Sequence, residues 1–390
     1  MMSKYRLQAI LFVFVAFMLG CNEYMIVGVL PDIAKEYHSS LSSLGYLVTM
    51  FALIYAVFTP VITSVANRWK RHHVLLTLMV VFFVGNTWTA LATNYPSLLL
   101  SRMLTASVAG AIISIVLVLA SYVAPRDKRA SLVSWVFAGF SIASVIGVPL
   151  GTVISQHFSW HDSFWMITVL TIVVFGLLVW LVPHDTPQVA GHLGDQFSLF
   201  KDKRVLIGSI FVIAVCAADY TFYTYVRPII TNLMGFDNTW LNWLLFMMGL
   251  FFIIGNKFGG LLADNGGVHR LPGVYVVMTV LLVALAPAFH FKWLAIAIVA
   301  ILCITFASYG ASTQLMFLDI AEKEYPQSLD LASSLNSIFA NIGISLGSLA
   351  AAETVRFSSL SNVGNIGAVF GVLAIILITV VSRNYEGMRH

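Results

Sequence analysis

Apolar residues run along this chain in long stretches with few interruptions. They do not show the alternation of a half-buried strand or the one-sided stripe of a surface helix. Twelve runs are long enough to cross a bilayer as helices, each needing about 20 mostly apolar residues. They cover residues 7–30, 41–65, 74–94, 97–123, 132–155 and 163–183, then 205–230, 239–263, 271–290, 292–318, 329–353 and 363–382. In chain order these are spans 1 to 12. The gaps carry breakers and charge, such as Pro31-Asp32, Asn94-Tyr95-Pro96 and Pro125-Arg126-Asp127. The first run is too long for a removed leader and lacks a small-residue cleavage site.

The longest hydrophilic stretch falls after span 6 and divides the spans six and six. The expected organisation is a six-helix bundle over residues 1–183, a cytoplasmic linker over 184–204 and a second bundle over 205–390. The fold class is therefore an all-α integral membrane protein with two pseudo-symmetric six-helix bundles, an arrangement common among transporters.

Composition sharpens this. Of the 390 residues, 59% are hydrophobic and 10% charged, whereas soluble chains carry about 25% charge. Lipid must therefore solvate much of the surface. Lys and Arg then orient the chain. With both termini inside, fifteen of the 21 basic residues fall in inner segments. Four (Lys35, Arg227, Lys292 and Arg356) fall outside, and Arg102 and Lys257 lie within spans. A multi-pass protein of the cell membrane with both termini cytoplasmic is expected. The net charge of +4 is a topological signal and gives no reason to expect nucleic acid. The three cysteines sit in apolar runs and suggest neither a disulfide framework nor a metal site.

An internal repeat supports the two-bundle reading. Thr63-Ser64-Val65-Ala66-Asn67-Arg68 follows span 2, and Gly260-Leu261-Leu262-Ala263-Asp264-Asn265 occupies the same place after span 8. A small residue lets helix ends approach, an acid can cap a neighbouring helix, and cations such as Arg68 and Arg71 hold the loop inside. Here the chain resembles the major facilitator superfamily, whose loop after span 2 carries G-x-L-A-D-R-x-G-R-R/K. The second copy keeps that pattern better. The first has Thr63 for glycine and Asn67 for aspartate, so the resemblance moves the acidic gating contact to Asp264.

Three further segments resemble the twelve-span drug/proton antiporter branch, including bacterial sugar-, nucleoside- and drug-efflux members. They are Arg102 to Gly110 in span 4, Gly147-Val148-Pro149-Leu150-Gly151 in span 5 and Asn341-Ile342-Gly343 to Gly347 in span 11. Small residues at Gly139, Ala143, Gly147 and Gly151 recur every four positions and give one smooth helix face for a partner helix. Pro149 should bend the helix there. The resemblance makes this face a seal against leak; packing alone explains it equally in kind.

Charges at membrane depth are costly and mark functional candidates. They are Glu23, Arg102, Asp219, Lys257 and Glu353, with Asp264 and Asp319 at span ends. Glu23 and Arg102 lie at similar depth. They read as an exchanging proton site with a switchable cation partner, or as a static ion pair. Asp219 precedes Tyr223 by one turn and reads as a substrate site, a second proton site or a structural hydrogen bond. Thr305, Ser308, Tyr309 and Ser312 form a polar stripe at helical spacing in span 10. That stripe fits substrate contact or interhelical bonding. Asn22, Asn242 and Asn336 are weaker cases, Asn22 being also a substrate-binding candidate.

No G-x-S-x-G, H-E-x-x-H or Walker-type loop occurs, so no enzymatic activity and no cofactor are expected, and a proton gradient is the energy source. The expected function is export of a small organic molecule by proton antiport with alternating access, the chain acting as a monomer in lipid. Proton-coupled uptake and lipid-linked substrate flipping are the alternatives within transport. A non-transporting sensor is the alternative outside it.

Overall fold

The structure is a computed structural model that describes residues 4–66, 69–125, 128–183 and 197–385. Twelve membrane-spanning helices form: Lys4–Glu36, Leu41–Thr63, Arg71–Ala90, Tyr95–Val123, Trp135–His157 and Trp160–Leu181, then Lys203–Tyr223, Asn238–Asp264, Leu271–Ala288, Lys292–Glu324, Leu331–Phe357 and Leu360–Asn384. They keep the span numbers given above. The chain groups into two compact units, Met1–Ser39 with Met50–Gly191 and Ser40–Thr49 with His192–His390. The first residues of span 2 thus belong to the second unit, whereas the sequence assigned all of residues 1–183 to the first bundle.

The first unit is built around span 1. Lipid gives helices no hydrophobic reason to associate, so close packing must supply it. Span 5 turns its small-residue face onto span 1. A Cβ added at Gly139 would run into the carbonyl oxygen of Val13, and one at Gly151 would lie 3.0 Å from that of Met25. Gly147 faces Tyr24 in the same way. Span 1 answers with its own glycines: Gly20 meets Ala143, and a Cβ at Gly28 would sit 2.6 Å from the Val148 carbonyl oxygen. The helix of span 5 continues through Pro149 to His157. Phe12, Val15, Met18 and Leu19 of span 1 complete a core with Phe82, Ile112 and Val116.

Span 1 is longer than its apolar run suggests, passing through Pro31 to Glu36. Proline removes one helix hydrogen bond, and partners beyond it hold the added turn. Ser155 Oγ donates to Asp32 at 2.6 Å, and Trp160 Nε1 donates to Glu36 at 2.7 Å.

The second unit repeats this seam. Gly343 and Gly347 of span 11 pack on Ile213, Cys216 and Ala217 of span 7, with Gly347 against the Ala217 carbonyl. Two of its spans depart from the continuous helices expected. Span 7 stops at Tyr223, turns at Thr224–Tyr225, and resumes in a short helical turn and a π-turn over Ile229–Leu233. Pro228 accounts for the break, because its ring crowds the carbonyl four residues back, at Thr224. Span 10 breaks at Ser308–Tyr309, between Lys292–Ala307 and Gly310–Glu324. Asn336 of span 11 pins that joint: it donates to the Gly310 carbonyl at 3.0 Å and accepts from Thr313 at 3.0 Å. Gly259 of span 8 leaves room for the Ser308 carbonyl.

The glycine seam predicts a contrast measurable by thermal unfolding of purified protein. Gly139→Ala is expected to destabilise by about 1–3 kcal/mol through overpacking. Gly176→Ala, whose Cβ meets nothing within 4 Å, is expected to be neutral or stabilising by up to about 1 kcal/mol.

Candidate functional site

Arg102 is 1% exposed and among the largest fully buried side chains. Its guanidinium reaches across to span 1, where Nη1 donates to the Asn22 side-chain oxygen at 2.8 Å and Nη2 to the Asn22 main-chain oxygen at 3.0 Å. Phe51 and Phe164 wall it in, their ring centroids 4.3 and 5.3 Å from the guanidinium carbon. A guanidinium is suited to this because its flat fork satisfies two acceptors while its faces stack on rings. Spans 1 and 4 thus meet at the level where Glu23 and Arg102 were expected. The partner differs: Arg102 engages Asn22, and the Glu23 carboxylate is half-buried beside it with no hydrogen bond or ion pair among the described residues. Two buried donors, Arg102 Nε and Asn22 Nδ2, have no acceptor among the described residues.

In the second unit Asp219 is half-buried, and its Oδ1 has no hydrogen-bond partner among the described residues. The bond expected from Tyr223 does not form. That ring meets Tyr220 and Phe252 edge-on instead, at centroid distances of 5.7 and 5.6 Å. Tyr309 closes the same neighbourhood, taking a hydrogen bond from Cys216 Sγ at 3.2 Å, one turn before Asp219.

The break in span 10 divides its polar stripe. Thr305 and Ser308 spend their hydroxyls on helix carbonyls, at 2.9 Å to Leu302 and 2.8 Å to Thr305. Ser312 is 3% exposed and its oxygen has no partner among the described residues. Tyr309 and Ser312 thus remain the members with chemistry to spare. Sequence reasoning missed both breaks. Pro228 was the available signal for the first; Ser308-Tyr309-Gly310 carries only a weak one. Interrupted helices expose main-chain groups and side chains that a continuous helix keeps to itself.

The loop candidates fare differently. Asn67 and Arg68 lie outside the described residues, and Arg71 opens the span 3 helix. Gly260 has nothing within 4 Å of an added Cβ, so no close helix approach depends on it. Asp264 is exposed in the last turn of span 8 and caps nothing among the described residues. The left-handed glycines that follow, Gly266 (φ 118°) and Gly267 (φ 52°), end the helix by backbone conformation instead. Lys257 is exposed on span 8. Glu353 accepts a hydrogen bond from Tyr46, itself part of this second unit, and lies 3.9 Å from Arg356.

Twelve spans with a buried cation clasp and unpartnered carboxylates define a multi-span secondary transporter. The chain belongs to the Major Facilitator Superfamily, whose family model matches residues 12–348. It is 32% identical over 338 residues to the MFS-type transporter YtbD of Bacillus subtilis (strain 168), covering 85% of this chain and 84% of that protein. Two solved structures share the fold at low identity. One is a bacterial homologue of the human lysosomal transporter Spinster, with a TM-score of 0.80, 15% identity and coverage of 99% of this chain and 98% of that one. The other is a D-xylose–proton symporter, with a TM-score of 0.78, 16% identity and coverage of 96% and 97%. The family moves small molecules through the membrane and is not enzymatic. Among the described residues no group of three or more metal-ligating side chains occurs.

The clasp predicts graded losses in thermal stability. Asn22→Ala removes one of two acceptors and is expected to cost about 1–3 kcal/mol, because a buried charged donor is left unmet. Arg102→Lys, which cannot fork to both oxygens, is expected to cost as much or more.

Proposed function

We propose that this chain is a proton-coupled transporter of a small polar organic molecule, with Glu23 as its exchanging proton site. One observation carries the reading: a carboxylate at membrane depth without a bond, beside a guanidinium held on the adjacent residue. A carboxylate so placed has two states, neutral and alone or charged and drawn to Arg102, and a proton decides between them. Asp219 with Tyr223, Tyr309 and Ser312 is the proposed substrate site. Its support is the unpartnered Asp219 and Ser312 oxygens and the two interrupted helices that carry this group. Asn22 serves the clasp in this reading, and the glycine face of span 5 is the seam on which span 1 moves or holds during alternating access.

Both directions use the same proton site. Export by antiport draws on the span 5 segment and its resemblance to proton antiporters. Uptake by symport draws on separate residues for proton and substrate, which both ligands can fill together, and on the fold shared with a D-xylose–proton symporter. The symport reading has the firmer support, because its argument rests on this chain's own carboxylates. Fifteen against four basic residues supports cytoplasmic termini in the cell membrane.

Proteoliposomes test these points. Glu23→Gln is expected to abolish accumulation driven by a pH gradient while leaving counterflow of labelled substrate intact. Full gradient dependence in that variant would remove Glu23 from its role. An inwardly directed proton gradient is expected to drive substrate inward; outward drive would establish export instead. Asp219→Asn is expected to raise the substrate concentration for half-maximal counterflow at least tenfold, equivalent to about 1.4 kcal/mol.

A further inference from the structure

Away from these sites, a cluster in the first unit joins three helix ends through one imidazole. Glu36 ends span 1, Ala90 ends span 3, and Trp160 and His161 open span 6. His161 Nδ1 lies 2.9 Å from the Ala90 carbonyl oxygen and Nε2 lies 3.0 Å from Glu36 Oε1. The second Glu36 oxygen accepts the Trp160 indole N–H. Both ring nitrogens thus face oxygens. Neutral imidazole has one N–H and one lone pair, so beside an ionised carboxylate it can satisfy only one of them. An imidazolium donates to both. A neutral carboxyl donating to Nε2 gives the same proton count. Either way, the closed cluster holds one proton more than a neutral histidine with an ionised glutamate.

The surroundings fit an added positive charge. The Trp160 ring lies against the imidazole, centroids 3.7 Å apart and planes at 28°, and aromatic faces attract cations. The N-terminal dipole of span 6 opposes the charge, and Asp162 in the same first turn offsets it. Other titratable groups on these elements are engaged elsewhere. Asp32 accepts from Ser155, Asp162 from Ser159 at 2.8 Å, and His157 Nδ1 lies 3.0 Å from the Val153 carbonyl oxygen. The Tyr37 hydroxyl donates to Ala92 at 2.7 Å. Burial, then the Glu36 charge, pushes this phenol up to about 12, so it keeps its proton. Lys35 and His38, which flank Glu36 in sequence, are exposed. Span 3 has no ionisable side chain after His73 and offers a carbonyl.

We propose that His161, Glu36 and the Ala90 carbonyl form a proton-binding latch. It ties the ends of spans 1, 3 and 6 when protonated and releases them as pH rises. The latch acts on the helix that carries Glu23, thirteen residues or about 20 Å before Glu36. It does not depend on Glu23 being the coupling site. The closed state binds the extra proton, so mass action favours it at low pH and it is lost as pH rises.

Amide exchange of the full chain in lipid nanodiscs tests the latch, read by mass spectrometry at about pH 5.5 and about pH 8.5, a range that spans histidine titration. After correction for intrinsic exchange rates, protection is expected to fall on the order of tenfold at the ends of spans 1 and 3 and the start of span 6. The middle of span 4 should not change. His161→Gln is expected to remove the difference. Glu36→Gln, a milder change that keeps a polar partner, is expected to lower the pH at which protection is lost. Equal protection at both pH values in the native chain, or a difference persisting unchanged in either variant, would overturn the proposal.

Discussion

Helices in lipid have little to gain by hiding apolar surface from one another, so what holds this chain together is how closely two backbones can approach. Span 5 on span 1 and span 11 on span 7 are two places where that approach is close, and both depend on residues with no side chain to interfere. Side chains fill in around these pairs, Phe82 and Val116 in the first unit and Tyr275 and Phe317 in the second, while spans 8 and 10 meet at further glycines, Gly255 and Gly259. Anything attached to span 1 or span 7 inherits its position from such a seam. Glu23 and Asn22 are on one, and Asp219 is on the other.

The buried polar groups divide by whether their partners are local. Thr305 satisfies itself within its own helix, and Ser308 bonds its own helix and Tyr275 of span 9, which makes both structural and leaves them little to offer a ligand. Arg102 reaches another span and fixes two helices at one level. Glu23, Asp219 and Ser312 do neither, and their unsatisfied state is costly in a dry interior. Such cost persists where another molecule, or a proton, supplies what the fold withholds.

Much of this was legible in the sequence because a bilayer imposes length and polarity on every span. All twelve runs were read from apolar length alone, and the small-residue period of span 5 announced its packing face. The similar depth of Glu23 and Arg102 was legible from their places in spans 1 and 4. What escaped were features set by tertiary partners. The end of span 1 runs past Pro31 because Ser155 and Trp160 hold it there, which no local pattern encodes. Asn336, a polar residue far along the chain, helps hold the break in span 10. The choice of Asn22 over Glu23 by Arg102 depends on a difference of one position around a helix, finer than spacing resolves. Asp264, expected to cap a neighbouring helix, lies exposed at the end of span 8, and the turn after it is made by backbone conformation at Gly266 and Gly267.

One of the two oxygens that hold Arg102 is a main-chain carbonyl. Every amino acid supplies that atom, so no substitution at position 22 can delete it. Random mutation can therefore weaken this anchor stepwise but rarely remove it at a stroke. A lineage carrying it can vary residue 22 while the two spans keep their register.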